Sequence, residues 1–256
     1  MPPRRVVSLC PSITETLVAI GALPLLVGAT RFCTRPKGIL RGLARVGGTK
    51  DPDLDRILAL EPDLVFANEE ENREEDVARL RRQGIEVDVS FPRRVRDVPA
   101  EVRRWGGRLG DDCAAKAESL ASRIESEAAL LAALPPPRHY VYAYWIWKDP
   151  WMTVSDDTYV ADLLRFSGGL NAFGSEPVRY PSVSPEMAIA RGVEVHFFPS
   201  EPYPFRRSRH SRLSLALFGD NSRHFFVNGD DYCWHGVRTV EGLTEMRRFR
   251  INLDRL

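Results

Sequence analysis

The longest regular pattern in the chain is a run of apolar and small residues between Asp112 and Leu134, spaced three and four positions apart. That spacing places them on one face of a helix, with charged residues on the opposite face. At about 1.5 Å per residue the helix is about 35 Å long. Pro135, Pro136 and Pro137 end it, because proline cannot continue a helix. The pattern therefore predicts one long amphipathic helix that joins the two sides of the chain as a rigid rod.

On both sides of this helix, short apolar stretches that predict strands alternate with stretches that predict helices. The strands are predicted at 5–9, 25–29, 64–67, 85–89, 139–145, 195–198 and 225–227. Such alternation is typical of parallel sheets covered by helices. We therefore predict an α/β fold of two Rossmann-like lobes with parallel sheets, joined by a single long rigid helix. The predicted divisions are an N-terminal lobe at 1–95, linking helices at 96–137 with the backbone helix at 112–134, and a C-terminal lobe at 138–256.

Two segments of the N-terminal half have local signals of their own. Ser12 followed by Glu15 is a capping box, in which the serine side chain would bind free N–H groups of the first helical turn. The segment 30–50 after the second strand is long for a loop, and loops of that length in compact domains are often functional. It contains Arg31 and Phe32.

The two halves contain a weak internal repeat. Pro52 and Pro185 each open a predicted helix, a strand follows, and Glu69 and Glu201 stand 17 and 16 residues after the respective prolines. Chance could also produce this spacing. If the repeat is real, each lobe places an acid at the carboxyl end of its sheet, where open parallel sheets bind ligands.

Composition narrows the class of protein. The chain is 43% hydrophobic and 28% charged, a balance typical of soluble globular proteins. Its 36 basic and 35 acidic residues nearly cancel, which disfavours a nucleic-acid binder. No apolar run approaches the roughly 18 residues that a membrane-spanning helix needs. Arg4 and Arg5 lead directly into the first strand, without the apolar segment of a secretory signal, so we expect a cytoplasmic location.

No catalytic motif stands out in the sequence. The nucleophile elbow, the zinc-protease motif, the phosphate loop and the dinucleotide fingerprint are all missing. Cys233 and His235 lie two residues apart and could ligate a soft metal together with Cys10 or Cys33. Packed, reduced thiols and a surface histidine are the other interpretation, and we expect neither a catalytic residue nor a bound metal.

Aromatic residues are concentrated after the long helix. Six of them fall within twelve positions: Tyr140, Tyr142, Tyr144, Trp145, Trp147 and Trp151. By strand alternation the three tyrosines share one face and belong to a core. The tryptophans continue into the loop beyond the strand, where large flat faces beside charges suit a large, flat and partly polar ligand.

Four stretches of the sequence together resemble a known family. They are VVSLCPSITETL at 6–17, VGGT at 46–49, PDLDRILALEPDLV at 52–65 and GGLNAF at 168–173. The combination resembles the cobalamin-type solute-binding proteins of ABC importers, also called helical-backbone metal receptors. The resemblance implies a monomeric binding protein that holds cobalamin or a related corrinoid in a cleft between two lobes and delivers it to an ABC permease. Haem and a ferric siderophore are the nearest substitute ligands.

The resemblance also implies roles for individual residues. The expected ligand-binding residues are Pro11, Ser12, Arg31, Phe32, Trp145, Trp151, Asp230, Trp234 and Arg238. The acids expected to dock on the permease are Glu74 and Glu201. One alternative stays open at this point, namely a cytosolic enzyme or chaperone that handles tetrapyrroles or corrinoids on the same fold.

Overall fold

The computed structural model describes residues 2–252, so Met1 and the last four residues of the predicted C-terminal lobe lie outside the described residues. The chain forms two compact units. Among the described residues, the first unit contains 2–92, Arg96–Glu125 and His235–Val237, and the second contains Arg93–Val95, Ser126–Trp234 and 238–252. The predicted α/β class with parallel sheets and one long connecting helix is confirmed. No helix within 2–252 is both long enough and apolar enough to cross a bilayer.

A parallel sheet forms the centre of the first unit. Its strands are β1 (Val6–Ser8), β2 (Leu26–Ala29), β3 (Ala44–Arg45), β4 (Leu64–Asn68) and β5 (Glu86–Ser90), in the order β3-β2-β1-β4-β5. The sequence pattern did not predict β3, because two residues are too few to show a periodicity. Apolar side chains such as Val7, Val65 and Ile57 form the buried core beside this sheet.

Four helices of the first unit follow its strands: α1 (Pro11–Ala19), α2 (Leu54–Ala59), α3 (Glu74–Arg82) and α4 (Val98–Leu109). The predicted capping box at Ser12 is wrong. Proline occupies the first position of α1, so Cys10 is the N-cap residue and no side chain caps the helix. The Ser12 side chain is hydrogen-bonded elsewhere, as described below.

The long helix α5 runs from Asp111 to Ala132 and confirms the helix predicted at 112–134. It belongs to the first unit as far as Glu125 and to the second unit from Ser126. Within the first unit, Arg103 of α4 forms ion pairs with Glu118 (2.8 Å) and Glu125 (2.6 Å) of α5. These pairs hold α4 along two turns of the long helix.

The second unit has a parallel sheet of its own. Its strands are β6 (Tyr140–Tyr144), β7 (Gly169–Asn171), β8 (Val195–Pro199) and β9 (Arg223–Val227), in the order β7-β6-β8-β9. Its helices are α6 (Tyr159–Arg165), α7 (Pro185–Ala190), α8 (Arg207–Phe218), α9 (Gly229–Cys233) and α10 (Arg238–Asn252). The strand order matches β2-β1-β4-β5 of the first sheet, which agrees with the internal repeat seen in the sequence.

Aromatic side chains fill the interior of the second unit. Tyr140, Tyr142 and Tyr144 are all buried, as the alternation along β6 predicted. Tyr140 packs on Phe249 of α10 with ring centroids 5.3 Å apart, and Tyr142 meets Phe197 of β8 edge to face. Large rings at these positions bury much apolar surface, and they give the sheet a rigid support.

Candidate functional site

The turn that follows β1 brings Ser12 to a buried histidine. Ser12 Oγ shares a hydrogen bond with His235 Nδ1 (3.1 Å) and lies 3.2 Å from the Cys10 sulfur. Burial lowers the pKa of His235 to about 4, so its imidazole is neutral at pH 7. Val237 N also donates to Thr16 Oγ1 at 3.0 Å. The polar face at the start of α1 is therefore satisfied by a segment more than 220 positions away, which local sequence patterns do not reveal.

Arg31 and Phe32 form an exposed group in the loop after β2. The Arg31 guanidinium donates to both carboxylate oxygens of Asp51, at 3.0 and 3.1 Å. It also stands over the Phe32 ring, 4.8 Å from the centroid, and Phe32 is 49% exposed. An open aromatic face beside a compensated charge can contact a large ligand without presenting a net charge to it. The partner Asp51 was not identified from the sequence.

The tryptophans after β6 differ in exposure. Trp145 is fully buried, and its Nε1 donates to His196 Nδ1 at 3.1 Å. Trp151 is partly buried, meets Trp145 edge to face and stacks on Phe205. Trp147 is 42% exposed. Any effect of Trp145 on a ligand therefore passes through its neighbours, whereas Trp151 and Trp147 have surface to offer.

The remaining predicted ligand residues surround the short helix α9. Asp230 lies in its first turn and is buried, and Trp234, directly after the helix, is half-buried. Arg238 donates to Asp231 Oδ1 at 2.9 Å, and both side chains are largely covered. As at Arg31, a carboxylate neutralises the guanidinium.

The two predicted docking acids have different surroundings. Glu74 is the exposed first residue of α3, followed by Glu75 and Asp76, and acids in a first turn favour the helix dipole. Glu201 is half-buried beyond β8, where the Cys233 thiol donates to Glu201 Oε1 at 3.4 Å. The backbone of Gly229 leaves no room for a side chain against Glu201.

The cysteines and His235 do not assemble into a metal site within residues 2–252, where no group of three or more suitable side chains was found. Thr14 and Thr30 hydroxyls lie 3.0 and 3.1 Å from the Cys33 sulfur. Burial raises the pKa of both the Cys10 and Cys33 thiols, which disfavours the thiolate that a metal needs. His235 is buried, so the expectation of a surface histidine is wrong.

The architecture of two parallel sheets connected by one long helix, with aromatic and paired charged groups in the loops beyond the strands, is that of a solute-binding protein, the class to which the family match assigns this chain. The chain belongs to the periplasmic binding protein family, which matches residues 6–204. It is 29% identical over 198 residues to the vitamin B12-binding protein of Vibrio parahaemolyticus, a match that covers 77% of this chain and 70% of that one.

Solved structures show the same fold. The periplasmic vitamin B12 binding protein BtuF of Vibrio cholerae superposes with a TM-score of 0.83 at 21% identity, covering 100% of this chain and 99% of that one. A periplasmic haem-binding protein from Pseudomonas aeruginosa gives 0.80 at 20% identity, over 97% and 92% of the two chains. The expectation of a binding protein is confirmed by the family that the chain matches, which consists of binding proteins, and the enzyme alternative is not favoured.

The cytoplasmic location predicted from the N-terminal residues is wrong. The matching family is described as periplasmic, and so are the vitamin B12 and haem binding proteins of the same fold.

Proposed function

We propose that the protein binds cobalamin or a closely related corrinoid and delivers it to an ABC permease. The main support for this ligand is the match over 77% of the chain to proteins named vitamin B12-binding protein. Pro11, Ser12, Arg31 and Phe32 are the ligand residues proposed for the first unit. Those proposed for the second unit are Trp151, Asp230, Trp234 and Arg238, while the fully buried Trp145 supports Trp151 and does not itself meet the ligand.

Charge at these positions favours a corrinoid over the substitutes. Arg31 is paired with Asp51, and Arg238 is paired with Asp231. A corrinoid ring has a neutral, amide-rich edge that hydrogen-bonds to such paired groups. The carboxylates of haem, in contrast, need cationic side chains that no protein carboxylate already neutralises. Exposed aromatic faces such as Phe32 supply the apolar contact that any large flat ring requires.

Titration tests this proposal directly. Cyanocobalamin, haem and a ferric siderophore are added separately to the purified protein while tryptophan fluorescence is followed. We expect saturable quenching by cyanocobalamin at micromolar concentrations or below, and weaker quenching by the other two. Preference for haem would reject the corrinoid, and no quenching by any of the three would reject a tetrapyrrole or iron-chelate ligand altogether.

The permease is the second part of the proposal. The family resemblance implies docking through one acid in each lobe, and Glu74 and Glu201 are the candidates, one in each unit. The exposed Glu74 with two further acids in the first turn of α3 supports a surface that meets basic side chains. Binding of the ligand-loaded protein to the permease of its own organism, held in lipid nanodiscs, tests this part.

A further inference from the structure

Two buried asparagines lie where several loops of the first unit meet. Asn68 is the last residue of β4, and Asn72 lies two residues before the first residue of α3. Each side chain is about 95% buried. Buried amides are expensive unless all their polar atoms are bonded, so their partners show what they hold together.

The Asn72 side chain makes three hydrogen bonds, and all three go to the backbone. Its Nδ2 donates to the carbonyl oxygen of Leu9 (3.2 Å) and to that of Thr49 (2.9 Å). Its Oδ1 accepts from the backbone N–H of Asn68 at 2.8 Å. A primary amide supplies two donors and an acceptor in one plane, which no hydroxyl or carboxylate of similar size can do.

The two carbonyls that Asn72 holds belong to segments with proposed ligand residues. Leu9 directly precedes the turn with Pro11 and Ser12. Thr49 lies in the turn at 47–52, where the Gly47 carbonyl accepts from Arg31 N at 2.8 Å and the Asp51 side chain pairs with Arg31. One side chain therefore ties together both segments that present the first unit's ligand residues.

Asn68 extends this frame toward the proposed docking helix. Its Nδ2 donates to the Ser90 carbonyl at the end of β5 (3.1 Å), and its Oδ1 accepts from the N–H groups of Glu70 (3.0 Å) and Glu71 (3.2 Å). The backbone N–H of Asn72 donates to the Asn68 carbonyl at 2.9 Å. These bonds shape the short segment that leads into Glu74.

We propose that Asn72 is a positioning residue shared by the two sites of the first unit. It holds the ligand-contacting segments and the start of α3 in one hydrogen-bonded frame, while touching neither ligand nor permease itself. What binds at each site rests on the proposed function, but the frame does not. A change at Asn72 should loosen both places at once and leave the rest of the unit as it was.

The test uses two variants and two measurements. Asn72→Asp keeps the size and one acceptor but turns a carboxylate oxygen toward two carbonyl oxygens, and Asn72→Ser removes the amide without adding charge. We expect the dissociation constant for cyanocobalamin to rise about tenfold in each. We expect hydrogen–deuterium exchange to accelerate in segments 9–13, 47–51 and 73–77, with exchange elsewhere in the first unit unchanged.

The matched control is a partly buried asparagine of the second unit whose side chain also bonds to the backbone. Asn171 donates from Nδ2 to the Val154 carbonyl (2.9 Å) and accepts from Phe173 N (3.0 Å). Asn171→Asp should accelerate exchange near those residues and leave the three segments of the first unit unchanged.

The outcomes separate the frame from the function. Faster exchange throughout the first unit in both Asn72 variants would make the residue a general stabiliser and overturn the inference. Unchanged exchange at 9–13 or at 73–77, or an unchanged dissociation constant in a wild type that binds cyanocobalamin, would also overturn it. If the wild type does not bind cyanocobalamin, the proposed ligand fails and the exchange data alone decide on the frame.

Discussion

The indole of Trp145 and the imidazole of His196 lie parallel, 6.1 Å apart at 10°, and are joined by the hydrogen bond from Nε1 to Nδ1. Because Nδ1 accepts, its proton must be absent, and His196 is held as the neutral tautomer protonated on Nε2. The Phe218 ring stacks on the His196 imidazole, with the two ring centroids 4.1 Å apart. Burial among these rings, and then the neighbouring His224, lowers the pKa of His196 to about 3.

This arrangement predicts loss of stability in mild acid. The unfolded protein takes up protons on His196 and His235 near pH 6.5, whereas the folded protein does not do so until about pH 3 and 4. Unfolded chains therefore bind more protons in that window, and the unfolding free energy falls as pH falls. Between pH 7.5 and pH 5.5 we expect each histidine to lower the free energy of unfolding by roughly 1.4 kcal/mol, and urea unfolding measures this change.

A variant isolates one of these contributions. His196→Gln keeps an acceptor for the Trp145 indole and cannot titrate. Its unfolding free energy should fall less between pH 7.5 and 5.5 than that of the wild type, by roughly 1.4 kcal/mol. An equal fall in both proteins would show that His196 does not take up its proton on unfolding.

Trp151 and Trp234 should supply apolar faces to the ligand. Replacing either by Ala should weaken cyanocobalamin binding by roughly 1 to 3 kcal/mol, the value of a buried aromatic contact. Isothermal titration calorimetry measures this. Trp145→Phe is the control, because that side chain is fully buried and its loss should lower stability far more than affinity. Wild-type affinity in both alanine variants would assign those tryptophans to the core or to bare surface.

We expect the two docking acids to differ, because Glu74 is only a surface charge whereas Glu201 also stabilises the fold. Glu74→Lys should abolish permease binding, because like charges then meet at a desolvated interface, while stability falls by at most about 1 kcal/mol. Glu201→Lys should cost more stability, because its side chain packs beside Cys233 and Gly229. Pull-down on nanodiscs and thermal melts report the two effects.

Glu75→Lys is the matched control, since it places the same charge change on the neighbouring exposed position of the same turn. Permease binding lost equally in Glu75→Lys would mean that general charge, and not Glu74 itself, makes the contact.

Asp51 should act on ligand choice through Arg31. Asp51→Asn removes the carboxylate that neutralises the guanidinium, so affinity for haem should rise several-fold relative to cyanocobalamin, by about 1 kcal/mol. The pair is half exposed, so stability should hardly change. Asp55→Asn breaks a comparable exposed pair with Arg79 and should leave ligand preference as it is. Haem affinity that does not respond to Asp51→Asn would remove Arg31 from the site.

Features that depend on short-range order along the chain were predictable from the sequence. The spacing of apolar residues predicts the helix from Asp111 to Ala132 and the strands β4 and β8, because each type of element repeats its buried positions with a fixed period. The alternation of these elements determined the α/β class, and the quoted stretches carried the family. The strand β3 and the helix α9 were missed because two and five residues hold too little pattern.

Side-chain surroundings were decided only by the tertiary structure. Ser12 has every local feature of a capping residue, yet its hydroxyl turns to His235, because the fold brings that remote segment beside α1. No pattern in the sequence marks Asn72, and only the folded strand ends show that its amide meets Leu9 and Thr49. Hydrogen-bond partners that are far apart in the chain produce no regular spacing in the sequence. Composition and periodicity therefore determine the helices and strands, and only the packing of these elements determines which polar groups meet.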